Sequence, residues 1–173
     1  MSLTENQRFS GHIDSPIGRL NAIVDGHGAV VRLDFDAPWK PRHIPAYDTA
    51  VPNLSALAPL ADQLAGYFSG TRQSFDLPLA PEGSDFLKSA WALLSQIPYA
   101  TTVTYGELAR AMTKPTSARA MGMANAVNPI SIIVPCHRVI GAGGKLTGYG
   151  GGLHNKQALL LLEAEHGAVD RLI

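Results

Sequence analysis

Cys136 and His137 are the residues of this chain best suited to covalent chemistry: a sulfur nucleophile next to an imidazole, followed later by two carboxylates, Glu163 and Glu165. A thiol near its ordinary pKa is only a few per cent thiolate at neutral pH, so attack by sulfur needs a base or a positive environment. The imidazole can supply the base. Neighbouring residues on an extended segment face opposite ways, so a bridging water or a bend must connect the two side chains. A carboxylate must then orient the ring, and Glu163 and Glu165 are both candidates. Cys136 is the only cysteine, which excludes an internal disulfide and a multi-thiolate zinc site. A lone cysteine is otherwise a small buried hydrophobe. What favours chemistry here is the surrounding sequence.

The β-branched run of residues 130–134, stopped by Pro135, predicts a buried strand that delivers Cys136 and His137 to its end. Residues 141–152 hold seven glycines, a loop whose backbone can approach a ligand closely. A last helix follows, anchored by Leu159, Leu160 and Leu162. Upstream, Ser84 caps a helix carrying Phe86, Leu87, Ala90, Trp91 and Leu94 and ended by Pro98. Thr104 and Glu107 have capping-box spacing and open a short helix through Met112. Lys114-Pro115 breaks the chain and Ser117 restarts it, the outline of a helix-turn-helix. In its second helix Ala118, Ala120, Gly122, Ala124 and Ala126 are small, and Arg119 is the long cation of the first turn. Such a helix either packs tightly in a core or enters a widened minor groove, whose usual width of about 6 Å rejects a helix about 10 to 12 Å across.

The first half reads as β structure. FSGHID, IGRLNAIVD and AVVRLDF alternate between turns at Ser15-Pro16 and Asp25-Gly26, predicting a small antiparallel meander. Residues 37–52 predict an irregular connection. Leu54, Leu57, Leu60, Ala61, Leu64 and Phe68 then recur at helical spacing, with Asn53 as N-cap and Gly70 as stop. Residues 73–83 predict a short edge strand running into a linker, which sets domains at 1–82 and 83–173.

Formal net charge is zero, but residues 1–83 carry six Lys/Arg against nine Asp/Glu, and residues 84–173 carry eight against five. Arg110, Lys114, Arg119, Arg138, Lys145 and Lys156 face the single acid Glu107 between residues 104 and 156, a candidate phosphate-binding surface or a merely solvated basic face. No apolar run reaches the roughly 20 residues of a membrane span, and the polar start MSLTENQ lacks a secretory signal, so a cytoplasmic protein is expected.

Pro135-Cys136-His137-Arg138-Val139, preceded by Asn128-Pro129 and followed by Tyr149 and its glycines, resembles the active-site signature of the O6-alkylguanine-DNA alkyltransferases, or methylated-DNA-protein-cysteine methyltransferases. The resemblance extends less sharply over the whole chain. It implies direct-reversal DNA repair by a single-turnover suicide enzyme, with irreversible transfer of an alkyl group from O6-alkylguanine, and from O4-alkylthymine, to Cys136. The fold it implies is α+β: a small ribonuclease H-like N-terminal antiparallel sheet with a helix, then a mainly helical domain holding the helix-turn-helix and the active-site strand. His137 becomes the water-mediated base, Glu163 its orienting carboxylate and Asn128 a hinge. Arg119 becomes the finger that replaces the extruded base, Tyr105 presses on the neighbouring phosphate, and Ser117, Ala118, Ala120 and Gly122 meet the DNA. Tyr105, Asn125, Val139, Tyr149, Gly150 and Gly151 wall the pocket. No cofactor and no metal are implied, because the zinc ligands of some relatives have no cysteine counterpart here. Double-stranded DNA, met through its minor groove by a monomer, is the implied partner.

Flipping the nucleotide exposes a carbon otherwise hidden in the stack. The thioether formed is not reversible by thiol exchange. A cysteine hydrolase with turnover and a non-catalytic helix-turn-helix lesion sensor are the competing readings; the first leaves Arg119 and its small-residue helix unexplained, and the second leaves Cys136 without a use.

Overall fold

The computed structural model describes residues 6–37 and 43–167, and the chain divides into two compact units, Met1–Glu82 and Gly83–Ile173. The fold is α+β, with a small sheet in the first unit and helices dominating the second.

In the first unit, β1 (Arg8–Ser15), β2 (Gly18–Asp25) and β3 (Val30–Phe35) form the antiparallel meander read from the sequence. β4 (Val51–Pro52) adds a parallel edge beside β1, giving the order β3-β2-β1-β4. That edge lies within the stretch expected to be irregular; two residues carry too little alternation to reveal a strand. Of the same stretch, residues 38–42 lie outside the described residues. Asp25 shapes the β2-β3 turn by accepting from the amides of His27 and Ala29, both at 2.9 Å. Leu20, Ala22 and Val24 alternate along β2 and are buried, and α1 (Ala58–Phe68) buries Leu60, Leu64 and Tyr67. Gly11 in β1 permits close approach: a Cβ there would stand 2.5 Å from Leu57 Cδ1. Asn53 does not cap α1: its side chain accepts from the Ala56 amide within a 3-10 turn at Ser55–Leu57 that precedes the helix. Gly70 adopts φ +77 just past the helix. The edge strand expected in residues 73–83 is reduced to a bridge at Leu79, where Val30 exchanges backbone bonds with Pro78 and Ala80. Pro78 and Pro81 have no amide hydrogen with which to extend it.

In the second unit, Ser84 accepts from the Leu87 amide and caps α2 (Asp85–Leu94). Trp91 of α2 donates to the Ala124 carbonyl at 3.0 Å, a buried bond that joins α2 to α4 (Ala118–Ala126). α3 (Tyr105–Ala111) opens on a complete capping box: Thr104 Oγ1 accepts from the Glu107 amide, and the Glu107 carboxylate accepts from the Thr104 amide. Ser117 caps α4 through the Ala120 amide, so α3 and α4 form the helix-turn-helix. β5 (Val103–Thr104) precedes α3 and pairs in parallel with β6 (Val139–Ile140). α5 (Leu153–Gly167) closes the unit. No described helix is long and apolar enough to cross a membrane.

Candidate active site

The approach to Cys136 is not the strand that its β-branched residues predict. Residues 130–134 turn back on themselves: the Val134 amide donates to the Ile130 carbonyl at 3.0 Å, and the Ile133 amide to Ser131 at 2.8 Å. Asn128 is the reason. Its Oδ1 accepts from the Ile130 amide at 3.0 Å, while Nδ2 donates to the Val134 carbonyl at 2.9 Å and to Cys136 Sγ at 3.0 Å. One buried amide thus satisfies backbone groups that a strand partner would otherwise hold. Ile132 is driven to φ +71, a left-handed conformation costly for a β-branched side chain. Cys136 therefore sits on a 3-10 turn, Cys136–Arg138, and strand pairing begins only after it, at Val139.

Cys136 is 3% exposed. Burial pushes its thiol up, opposed by the hydrogen bond from Asn128, the positive charge of Lys156 and a hydrogen bond with Tyr149. The resting sulfur is accordingly a thiol, which makes proton removal part of any reaction. His137 is fully buried, and its Nε2 meets Glu163 Oε1 at 2.7 Å. Burial holds the imidazole below its ordinary value even though Glu163 raises it. A neutral ring whose Nε2 hydrogen is given to Glu163 keeps Nδ1 as an acceptor, and Nδ1 has no hydrogen-bond partner among the described residues.

Glu163 is the carboxylate of this couple, whereas Glu165 is exposed. Although burial raises a carboxyl pKa, the hydrogen bond from His137 and the hydrogen bonds and charge of Arg138 hold Glu163 at about 2. Arg138 donates to both Glu163 oxygens, each at 2.9 Å, and to the Ile97 carbonyl at 2.7 Å, with its guanidinium 5.6 Å from the Tyr99 ring centre. The Ala100 amide adds another bond to Glu163 at 3.2 Å. Lys156, fully buried on α5, donates to the carbonyls of Val139 and Thr147, tying the turn after Cys136 to the glycine loop. Asn155 donates to the Gly151 carbonyl at 2.9 Å.

Arg138 and Lys156 are thus internal clamps and not members of a phosphate-facing surface; Arg110, Lys114, Arg119 and Lys145 remain exposed. Their role could not be read from spacing, because the buried face of α5 is Asn155, Lys156, Leu159 and Glu163. Leu159 packs there, but Leu160 and Leu162 are only half-buried.

The residues expected to meet DNA divide in two. Ser117, Ala118 and Arg119 are exposed at the start of α4, whereas Ala120 and Gly122 are half-buried, and a Cβ at Gly122 would lie 4.0 Å from the Tyr105 ring. Ala124 is fully buried, so part of the small-residue pattern serves packing inside the unit. Among the expected pocket residues, Asn125 joins Tyr105 to the nucleophile: Nδ2 lies 3.5 Å from the Tyr105 hydroxyl and donates to the Cys136 carbonyl at 3.3 Å. Tyr149 is beside the thiol, Val139 and Gly151 are buried, and Gly150 is exposed. A groove of about 780 Å³ between α2 and the end of α3 contains none of these residues.

A helix-turn-helix joined through one asparagine to a buried cysteine, with a histidine-glutamate couple immediately behind it, defines a distinct class of protein. Residues 85–165 match the 6-O-methylguanine DNA methyltransferase DNA-binding domain, and residues 9–81 match the ribonuclease-like domain of the same family. The chain belongs to the methylated-DNA-protein-cysteine methyltransferase family. A relative of that name from Methanosarcina barkeri is 50% identical, with 87% of this chain and 94% of the relative aligned. The solved Mycobacterium tuberculosis O6-methylguanine methyltransferase superposes with a TM-score of 0.84 at 44% identity, covering 92% of this chain and 94% of its own. Mycobacterium tuberculosis OGT in complex with DNA superposes at 0.80 with 43% identity, again covering 92% and 94%.

Proposed function

We propose that this protein repairs DNA by moving the alkyl group of O6-alkylguanine onto Sγ of Cys136, once per molecule. The observation that carries the proposal is the Asn128-bound sulfur followed directly by the His137-Glu163 couple. His137 takes the thiol proton, through a bridging water, as sulfur attacks the alkyl carbon. The S–C bond forms as the bond from that carbon to O6 breaks; the electron pair leaves with guanine, which ends with the proton. The fixed Glu163 anion stabilises the imidazolium that exists in between. With no second cysteine in the chain to relieve it, the thioether on Cys136 is final.

The unit Gly83–Ile173 is the DNA-binding alkyl acceptor, and α4 meets the minor groove of duplex DNA. Arg119, exposed in its first turn beside Ser117 and Ala118, fills the space left by the flipped base, and the exposed Arg110, Lys114 and Lys145 support phosphate contact. All the proposed reacting groups come from one chain, which supports a monomer. A thiol that must stay reduced favours the cytoplasm.

Intact-mass measurement after mixing with O6-methylguanine duplex tests the proposal. One methyl group gained per chain, located on Cys136, is expected. An unchanged mass, or more demethylated base than protein, overturns it, the latter in favour of a cysteine hydrolase.

A further inference from the structure

We propose that Trp91 is a positioning residue for transfer to Cys136. Its indole N–H takes the place of the Asn128 amide at the end of α4, which leaves the Asn128 side chain free to bond the sulfur; this rests on the function proposed above and deepens it. Trp91 is 2% exposed on α2, and its Nε1 donates at 3.0 Å to the carbonyl of Ala124, itself fully buried. The far edge of the ring lies against Gly83, where a Cβ would stand 2.6 Å from Cη2 and 2.8 Å from Cζ3. The indole is thereby held between the start of this unit and the last turn of α4.

The last carbonyls of a helix have no amide four residues on, and buried ones need another donor. In α4 the regular pattern stops at Val127, whose amide donates to the Met123 carbonyl at 3.1 Å. The next bond of the series would run from the Asn128 amide to the Ala124 carbonyl. Asn128 donates instead to the Asn125 carbonyl at 3.3 Å, and Val127 has left helical geometry at φ −103 and ψ 12. Pro129 contributes to this break, because the residue before a proline is disfavoured from the helical region and proline has no amide to offer. The Ala124 carbonyl would stand bare inside the unit, and Trp91 supplies the missing donor.

This exchange of donors sets the direction of one side chain. Released from Ala124, Asn128 places Oδ1 on the Ile130 amide at 3.0 Å, and Nδ2 on the Val134 carbonyl at 2.9 Å and on Cys136 Sγ at 3.0 Å. Without the indole N–H, the buried carbonyl is satisfied by drawing the Asn128 amide back. That adds a residue to the helix and swings the Asn128 side chain away from the sulfur. The Asn128 bond is the largest influence opposing the rise in thiol pKa that burial causes, ahead of the Lys156 charge and the Tyr149 bond. Trp91 thus acts on the nucleophile through Asn128.

Trp91→Phe keeps an aromatic ring and removes the donor. Transfer from free O6-benzylguanine, which involves no DNA, is expected to slow about tenfold, the scale of one hydrogen bond lost at the sulfur. The rise of rate with pH is expected to move to higher pH, because Lys156 and Tyr149 are unaltered and the Asn128 contribution alone is lost. On an Asn128→Ala background the same change should alter the rate by less than about twofold. An endpoint of one benzyl group per chain shows that a variant is folded. If Trp91→Phe fails to fold, Gly83→Ala displaces the indole while keeping its N–H, and the same shift of the pH profile is expected. Slowing by one factor at every pH, full additivity with Asn128→Ala, or a rate within about twofold of wild type overturns the assignment while leaving the repair function standing. No transfer by the wild type, from the free base or from methylated duplex, strikes the repair function itself and this role with it.

Discussion

Among the described residues, the buried side chains of Met1–Glu82 are apolar or aromatic, led by Leu20, Ile23, Leu33, Leu64 and Tyr67, whereas Gly83–Ile173 also buries Asn125, Asn128, His137, Arg138, Asn155, Lys156 and Glu163. The first kind of core is stabilised by area removed from water, about 25 cal/mol per Å². The second kind opposes itself, since charges lose hydration and recover it only through exact pairing. Glu163 recovers it through bonds from His137, Arg138 and the Ala100 amide, and Lys156 through two carbonyls. What the contrast teaches is that the second unit gives up stability for a dry, fixed environment around one sulfur. Removing a partner should therefore cost more there than trimming an apolar side chain does in the first unit.

Cys136→Ala should abolish alkyl transfer completely while leaving duplex binding within about twofold of wild type, read by intact mass and gel mobility. Retained transfer would remove the sulfur from the mechanism. Glu163→Ala strands a buried guanidinium and imidazole, so it should destabilise the second unit by about 3 to 5 kcal/mol in denaturant unfolding. A loss below 1 kcal/mol would mean that water replaces the carboxylate, and the contrast between the units would fall.

Acid sharpens the same contrast. Glu163 is held at about 2 against an ordinary 4.5, so its contribution is fully present above pH 4.5 and is lost as pH falls towards 2. His137 is also depressed, so its contribution is present above pH 6.5 and declines below as the unfolded chain takes up the proton first. Amide exchange should accordingly show protection in α5 declining below pH 6.5 before that of β1 to β3, and Glu163→Gln should flatten the part of the profile below 4.5. Simultaneous loss in both units would contradict this. In the first unit, Leu33→Ala should cost about 3 kcal/mol by cavity formation. Transfer to free O6-benzylguanine, measured per folded molecule, should stay within about twofold. The smallest effect is expected at the surface. Arg119→Ala should slow repair of duplex about tenfold, a difference of 1.4 kcal/mol, and leave the free-base reaction nearly unchanged, because only a duplex needs a base extruded. Equal losses on both substrates would end the finger role.

Much of this was legible one segment at a time. Ser84, Thr104 with Glu107, and Ser117 cap the helices expected of them, because a cap is a bond between residues two or three apart. The meander was equally plain, since alternation along each strand records which face is buried. The approach to Cys136 misled: residues 130–134 have strand composition, yet Asn128 takes over their backbone bonds and winds them into a turn. The buried face of α5 misled in the same way, because Asn155, Lys156 and Glu163 look like solvent-facing residues until their partners are known.

By itself, then, the chain of residues determined its capped helices, its alternating strands and the adjacency of one thiol to one imidazole, all of which depend on short spacings. Only the tertiary structure decided that Glu163 and not Glu165 holds the imidazole, and that Arg138 and Lys156 turn inward. Those outcomes join groups 25 or more residues apart or hinge on which atoms lose water, and no local pattern encodes either.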